Sequence, residues 1–286
     1  MIKYGINYSF IIPHKNSPEL LKRCVESIPN RDDIQIIVVD DNSDEDKKPM
    51  LPERKGLEIV LLEASQSKGA GRARNVGLEK ATGKWLLFAD ADDEYCCGFL
   101  ETLENYLTDG LQILYFSICK GGESINGRAD RYIQRYSQLY DSDKRDLIRF
   151  SFWEPWNKVF SRDFINHNSL LFEERPSGND MMFCLQASAA ATNYIITNEH
   201  LYILYDQPNS ITYKKKSFDA ILKRLELSFK KDKFMREQGL EELRTPIMST
   251  RIFGRVVKQY GLVNALRYLK QYSFYKRSFK EIEGRR

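Results

Sequence analysis

The chain has 286 residues, 42% hydrophobic and 29% charged, enough for one large globular domain with a substantial appendage. No apolar stretch approaches the ~18 residues of a membrane span, and the N-terminus, Met1-Ile2-Lys3-Tyr4-Gly5-Ile6-Asn7, lacks the apolar core of a signal peptide, so a cytoplasmic location is expected. Three scattered histidines and five cysteines without C-x-x-C spacing argue against a zinc site, a histidine triad or a disulfide framework, which leaves carboxylates to carry the chemistry.

Tyr8-Ser9-Phe10-Ile11-Ile12-Pro13 predicts a buried first strand, and Ser17-Pro18 opens a helix whose apolar positions are Leu20, Leu21, Cys24, Val25 and Ile28. Ile34 to Val39 and Leu57 to Leu62 are the next strands. A helix then runs from the Gly69-Ala70-Gly71 turn to about Ala81, and a strand follows over Lys84 to Ala89. Strands alternating with helices at this spacing imply a mostly parallel sheet covered on both faces, with ligands bound at the carboxyl ends of the strands. Further along come a helix over Phe99 to Leu107 and a strand over Leu111 to Ile118. A surface excursion is expected from Lys120 to Arg131, a peripheral strand around Tyr132, Ile133, Tyr136 and Leu139, and a helix capped by Asp141-Ser142-Asp143 running through Phe150. After the aromatic segment Phe152 to Phe160 come a helix over Met181 to Ala191 and a strand pair, Tyr194 to Ile196 and Leu201 to Tyr205. The rest is helical.

Three acidic or glycine-rich stretches lie at the predicted ligand edge. Phe88-Ala89-Asp90-Ala91-Asp92-Asp93 ends a buried run in three carboxylates, the oxygen ligands that Mg²⁺ or Mn²⁺ prefers. The competing reading is an acidic turn that caps a helix starting near Tyr95. Asp40-Asp41 ends the second strand, where it can hydrogen-bond a base or ribose, or simply make a turn. Gly69-x-Gly71 with Arg72, Arg74 and Asn75 is either a phosphate cradle at a helix N-terminus or a flexible helix entry with solvated arginines. Late in the chain, Ser177-Gly178-Asn179-Asp180 reads either as a near capping box or as a loop delivering a base to the same crevice.

Together these stretches resemble the family 2 glycosyltransferases, inverting enzymes of GT-A fold that build bacterial surface polysaccharides such as capsule, and the match covers about residues 7 to 210. It rests on Ile11-Ile12-Pro13-His14-Lys15-Asn16, Val38-Val39-Asp40-Asp41-Asn42-Ser43, Ala73-Arg74-Asn75-x-Gly77, Asp90-Ala91-Asp92-Asp93, Trp156-Asn157-Lys158-Val159-Phe160 and Asn179-Asp180, in that order. The resemblance implies an α/β GT-A fold, mostly parallel, with a catalytic domain over 1–212. Its nucleotide-binding part would span about 1–118 and its acceptor-side part 119–212, followed by a helical, basic extension over 213–286. It further implies a donor-nucleotide site at Pro13, Asn16, Asp41, Arg74 and Asp90, a metal site for Mn²⁺ or Mg²⁺ at Asp92 and Asp93, and acceptor-side residues Trp156, Asn157, Lys158 and Asn179.

On this reading Asp41 contacts the base, Asp90 the ribose, and Asp180 is the general base for transfer of a hexosyl or N-acetylhexosaminyl group from a UDP-linked donor to a glycan or lipid-linked glycan. The alternative is a GT-A-like protein that binds nucleotide or glycan without catalysis. Two departures stand out. Asn179 replaces the family's Glu, and Tyr205-Asp206-Gln207-Pro208-Asn209-Ser210-Ile211-Thr212 lacks the arginine of the family's closing stretch.

The net charge of +4 hides an asymmetry. Residues 251–286 hold ten Lys/Arg against two Glu, a local +8, which leaves −4 for the rest. With Leu262, Leu266, Leu269 and Tyr272 in an apolar stripe, this end either lies on an anionic membrane surface, at the inner face of the cell membrane, or packs on the catalytic domain with its basic face in water. Nothing else in the chain continues a basic surface, so nucleic acid is not an expected partner.

Overall fold

The computed structural model describes residues 5–122, 127–175, 177–206 and 217–283, the last four by backbone alone. The chain divides into two compact units, Met1–Pro208 and Asn209–Arg286. The domain boundary expected at 212 falls among residues 207–216, outside the described residues.

The first unit begins with β1 (Tyr8–His14), α1 (Pro18–Glu26), β2 (Ile34–Asp40), β3 (Leu57–Leu61), α2 (Ala70–Lys80) and β4 (Trp85–Phe88). There follow β5 (Glu94–Tyr95), α3 (Phe99–Glu104), β6 (Ile113–Gly121), α4 (Arg128–Tyr140) and α5 (Ile148–Ser151). The unit closes with β7 (Lys158–Ser161), α6 (Arg162–His167), α7 (Met181–Ala190) and β8 (Tyr194–Tyr205). The eight strands form one sheet in the order β3-β2-β1-β4-β7-β6-β8-β5. β1, β2, β3 and β4 are parallel, as is β6 with β8, while β7 runs against both its neighbours and β5 against β8.

Burial on both faces explains the unbroken apolar runs. Phe10, Ile12, Ile36, Val38 and Leu87 enter one core with α1 and α3, while Ile11, Ile37, Val39, Leu86 and Phe88 enter the other with α2 and α7. The turn from β1 to α1 is fixed by a buried imidazole. The Ser17 amide donates to His14 Nε2 at 3.1 Å, which places the ring proton on Nδ1, and Nδ1 meets Asp40 Oδ1 at 2.7 Å. Asp40 also accepts from the Ser43 amide, so β1 and β2 end in register at the carboxyl edge of the sheet.

Four local expectations are corrected. The peripheral strand at Tyr132 to Leu139 is the helix α4, whose inward residues Ala129, Tyr132, Tyr136 and Tyr140 recur at the three- and four-residue helical spacing. The surface excursion from Lys120 ends earlier than Arg131, since α4 begins at Arg128. The helix expected through Phe150 is only α5 preceded by a 3₁₀ turn at Arg145–Leu147. The closing strand pair is a single strand, β8, carried through the polar Thr197 to His200 by irregular register against β6.

The second unit contains α8 (Phe218–Glu237), α9 (Thr250–Tyr260) and α10 (Leu262–Glu283), joined around Leu225, Phe229, Val256, Ala265 and Tyr268. The stripe read along α10 is split. Tyr272 packs inward, whereas Leu262 and Leu266 are exposed together with Val263 and Phe274. Exposed Arg267, Lys270 and Arg277 share that outward arc of the helix. No helix among the described residues is long and apolar enough to cross a membrane.

Candidate active site

The carboxylates that terminate β4 do not cap a helix. Glu94–Tyr95 is the strand β5, and α3 starts only at Phe99, with Gly98 at its N-cap. Asp90, Asp92 and Asp93 instead converge, one oxygen from each lying within 4.8 Å of the others. The three are not equivalent. Asp93 is 2% exposed and both its oxygens are engaged, Oδ2 accepting from the Tyr202 hydroxyl at 3.0 Å and Oδ1 from the Tyr205 amide at 2.8 Å. Asp93 therefore pins β8 to the acidic turn, and the Asp92 carboxylate and Asp90 Oδ2 are the freer oxygens for a cation.

Tyr202 is the residue sequence reasoning missed here. Its hydroxyl donates to Asp93 and accepts from the Asp90 amide at 2.9 Å, so it sets the turn's shape from the opposite strand. A tyrosine in the apolar run Leu201 to Tyr205 gives no warning of this. From α1, Arg23 reaches the Asp92 carbonyl at 2.7 Å and pairs with Glu94. Burial, then the neighbouring Asp90 charge, pushes the Asp92 carboxyl up to about 6.

Arg74 links this turn to the second acidic stretch. Its Nη2 donates to Asp90 Oδ1 at 2.6 Å and its Nη1 to Asn179 Oδ1 at 2.8 Å. A guanidinium fork can hold two acceptors at fixed separation, which a lysine cannot. Asn75 then fixes the segment before Asn179, donating to the Phe172 carbonyl at 3.0 Å and accepting from its amide at 2.8 Å. The two glycines of this motif are packing positions. A Cβ on Gly77 would come within 2.3 Å of the Ile11 side chain, and one on Gly71 within 2.2 Å of the Glu173 carbonyl.

The phosphate-cradle reading of Gly69-x-Gly71 is corrected. The Lys68 and Gly69 amides donate to the Asp41 carboxylate at 3.1 to 3.2 Å, and Arg72 lies 3.5 Å from Glu174 and 3.6 Å from Glu79. The anions at this helix entry are the protein's own. Asp41, 5% exposed, thus anchors the loop between β3 and α2 at the sheet edge. Asn16, held at a φ of 56° that asparagine tolerates, exchanges hydrogen bonds with Asp44, while Pro13 lies half-buried in β1.

Asp180 occupies the N-cap position of α7, yet its side chain makes no capping hydrogen bond, so the capping-box reading fails. Burial raises its pKa, with Arg74 opposing and Asp90 adding to the rise. Trp156, Asn157 and Lys158 are 2%, 0% and 1% exposed. They present no open face to an acceptor; they brace the site from behind. Lys158 spends its ammonium donors on the Phe152 carbonyl, the Glu154 carbonyl and Asn157 Oδ1 at 2.8, 2.6 and 2.6 Å. Trp156 stacks on Tyr202 with ring centroids 5.1 Å apart. Asn179, also expected on the acceptor side, is 7% exposed and committed to Arg74.

The chain matches the model of Glycosyl transferase family 2 over residues 9–167, more than half its length. It belongs to that family. GalNAc(5)-diNAcBac-PP-undecaprenol beta-1,3-glucosyltransferase of Campylobacter jejuni is 27% identical over 229 residues, covering 77% of this chain and 72% of that protein. Several other curated relatives are longer, and the chain spans from under a third to about two thirds of them. Staphylococcus aureus TarS 1–349 in complex with UDP-GlcNAc has a similar fold, with a TM-score of 0.62 at 16% identity over 96% of this chain and 92% of that one. The mannosyltransferase PcManGT of Pyrobaculum calidifontis, in complex with GDP-Man and Mn²⁺, superposes with a TM-score of 0.53 at 14% identity over 96% and 74% of the two chains. The fold of this family 2 glycosyltransferase is therefore GT-A, as the resemblance implied.

Proposed function

We propose that this glycosyltransferase transfers a hexosyl or N-acetylhexosaminyl group, with inversion, from a UDP-linked donor to a hydroxyl of a glycan or lipid-linked glycan in bacterial surface-polysaccharide synthesis. The observation that supports it best is the convergence of Asp90, Asp92 and Asp93 at the carboxyl end of β4, linked through Arg74 to the loop that carries Asp180. Three like charges within one ion's reach, with Asp92 pushed up to about 6 by burial and Asp90, fit a divalent cation. Asp92 would hold Mn²⁺ or Mg²⁺, with Asp90 lending negative charge beside it, and the cation would supply positive charge against that developing on the departing nucleotide diphosphate.

The side chains supply the rest. In this assignment Asp41 faces the base and Asp90 the ribose, with Pro13 and Asn16 shaping the floor between β1 and β2. Arg74 keeps Asp90 and the Asn179-Asp180 loop at fixed separation. The acceptor oxygen attacks the anomeric carbon as the bond to the β-phosphate oxygen breaks, and the hydroxyl proton passes to the Asp180 carboxylate. A single displacement inverts the anomeric centre. The undecaprenol-linked acceptor named for the C. jejuni relative and the UDP-GlcNAc complex of TarS support the donor and acceptor classes. Calorimetric titration of UDP tests the donor site: tight binding is expected with Mn²⁺ and at least tenfold weaker binding in excess EDTA. Equal affinity in both would contradict a metal-bridged donor.

The outward arc of α10, where Leu262, Val263, Leu266 and Phe274 alternate with Arg267, Lys270 and Arg277, supports a second assignment: docking on the anionic inner face of the cell membrane. Phosphatidylglycerol vesicles should pellet the full chain at low salt and release it when Arg267, Lys270 and Arg277 are changed to Glu. Phosphatidylcholine vesicles should pellet neither. Retention of the charge-reversed chain on the anionic vesicles would remove the membrane assignment.

A further inference from the structure

The two edges of the sheet are protected very differently. At one end β5 offers only Glu94–Tyr95, too short to template another strand. At the other end lies β3, Leu57-Glu58-Ile59-Val60-Leu61, which carries neither the lysine nor the proline that commonly blunts an edge. Its single charge, Glu58, is taken up by Lys80 at 2.6 Å.

Parallel pairing with β2 fixes which way the β3 backbone points. The Ile36 amide donates to the Gly56 carbonyl at 2.8 Å and the Leu62 amide to the Asp40 carbonyl at 2.9 Å, with Ile36, Val38 and Asp40 opposite Leu57, Ile59 and Leu61. Alternation along a parallel ladder then commits Glu58 and Val60 to β2 and turns the N–H and C=O groups of Ile59 and Leu61 outward. No loop backbone among the described residues bonds to them. Their side chains are uncovered as well, Ile59 being 38% and Leu61 52% exposed. Beside them a groove of about 710 Å³ runs between Leu51-Pro52 and the side chains of Leu57 and Ile59.

We propose that β3 is the interface for a second copy of this chain, the two strands pairing antiparallel about a two-fold axis at Ile59. This symmetric register matches apolar with apolar. It sets Ile59 opposite Ile59 of the partner subunit, and Leu57 opposite the partner's Leu61. Moving the axis by one residue either way puts Leu61 opposite the partner's Lys55, or Leu57 opposite the partner's Glu63. Residues opposite one another in a ladder share a face, so the partner's Leu61 enters the groove beside Leu57.

The charges agree with that register. Lys55 precedes the strand and Glu63 follows it, both exposed, so the axis brings each lysine to the partner's Glu63. Lys55 also holds Asp32 at 2.7 Å, but both side chains are more than two-thirds exposed, and such a pair contributes little. The axis stands perpendicular to the sheet. The carboxyl edges of the two sheets therefore face opposite ways, and each copy works independently. One short strand from each copy lies at the small end of specific interfaces, which sets dissociation on the order of 10 µM.

Sedimentation equilibrium of the full chain, from about 1 to 200 µM, should show a monomer passing into a dimer. Ile59→Lys and Glu63→Lys should each raise the dissociation constant at least tenfold, and Lys55→Glu combined with Glu63→Lys should return it to within threefold of the parent. Where the parent is monomeric, all three variants should match it in melting temperature and in Mn²⁺-dependent UDP binding. Ile59→Cys should form a 59-to-59 disulfide in oxidised glutathione, because a hydrogen-bonded antiparallel pair holds its Cα atoms about 5.5 Å apart.

A parent that stays monomeric over the whole range overturns the inference, as does a dimer that Ile59→Lys leaves intact, which would place the interface on another face. A charge exchange that fails to restore the dimer, or an Ile59→Cys chain that forms no disulfide through residue 59, overturns the register.

Discussion

Asp180→Asn should lower transfer on the order of 10²- to 10⁴-fold, the range for loss of a positioned general base, while UDP binding in the presence of Mn²⁺ stays within threefold of the parent. The pH dependence separates this from damage to the fold. Burial raises the Asp180 pKa above that of an ordinary aspartate, so the acid limb of kcat/KM should fall at a higher pH than an ordinary aspartate would give. A carboxyl whose folded pKa exceeds its unfolded value stabilises the fold below the unfolded pKa and loses that contribution as pH rises through the folded one. At neutral pH the parent carries the cost of a buried charge and the neutral asparagine does not. Melting of Asp180→Asn at pH 7.5 should therefore be no lower than that of the parent, and a variant both inactive and destabilised would speak for a structural role.

Asp92→Asn should lower activity on the order of 10²-fold or more by weakening the hold on the proposed divalent ion, with partial recovery at higher Mn²⁺. Asp93→Asn should behave differently although it is the next residue. Both its oxygens hold β8, through the Tyr202 hydroxyl and the Tyr205 amide, so an asparagine amide facing either donor removes a buried hydrogen bond. Its main effect is expected on melting temperature. If Asp93→Asn abolished Mn²⁺-dependent UDP binding while Asp92→Asn retained it, the division of labour in the acidic turn would be reversed.

The acidic turn was legible because an apolar run ended in charge, and the parallel half of the sheet because strands and helices alternated at regular spacing. The roles within these stretches were not. Read as a string, Gly69-Ala70-Gly71 with its arginines suggests phosphate, yet Asp41, far back in the chain, takes the Lys68 and Gly69 amides. Only the sheet brings them together. Tyr202 shares this character, since it acquires its meaning from Asp90 and Asp93, distant in sequence. Trp156-Asn157-Lys158 was legible as a motif, but an exposed role and a buried one give the same letters. The misread strand at Tyr132 to Leu139 has a local cause: tyrosines on a helix packed against a sheet give a short window whose apolar spacing also suits alternation.

The central claim is metal-dependent transfer with inversion. It is tested most directly by proton NMR of the first product formed from an α-linked UDP-sugar, found by screening UDP-glucose, UDP-GlcNAc, UDP-galactose and UDP-GalNAc with Mn²⁺ and with EDTA. A β-linked product that forms with Mn²⁺, is absent in EDTA and is absent with Asp180→Ala is the expected result. An α-linked product, or undiminished turnover by Asp180→Ala, would contradict the account.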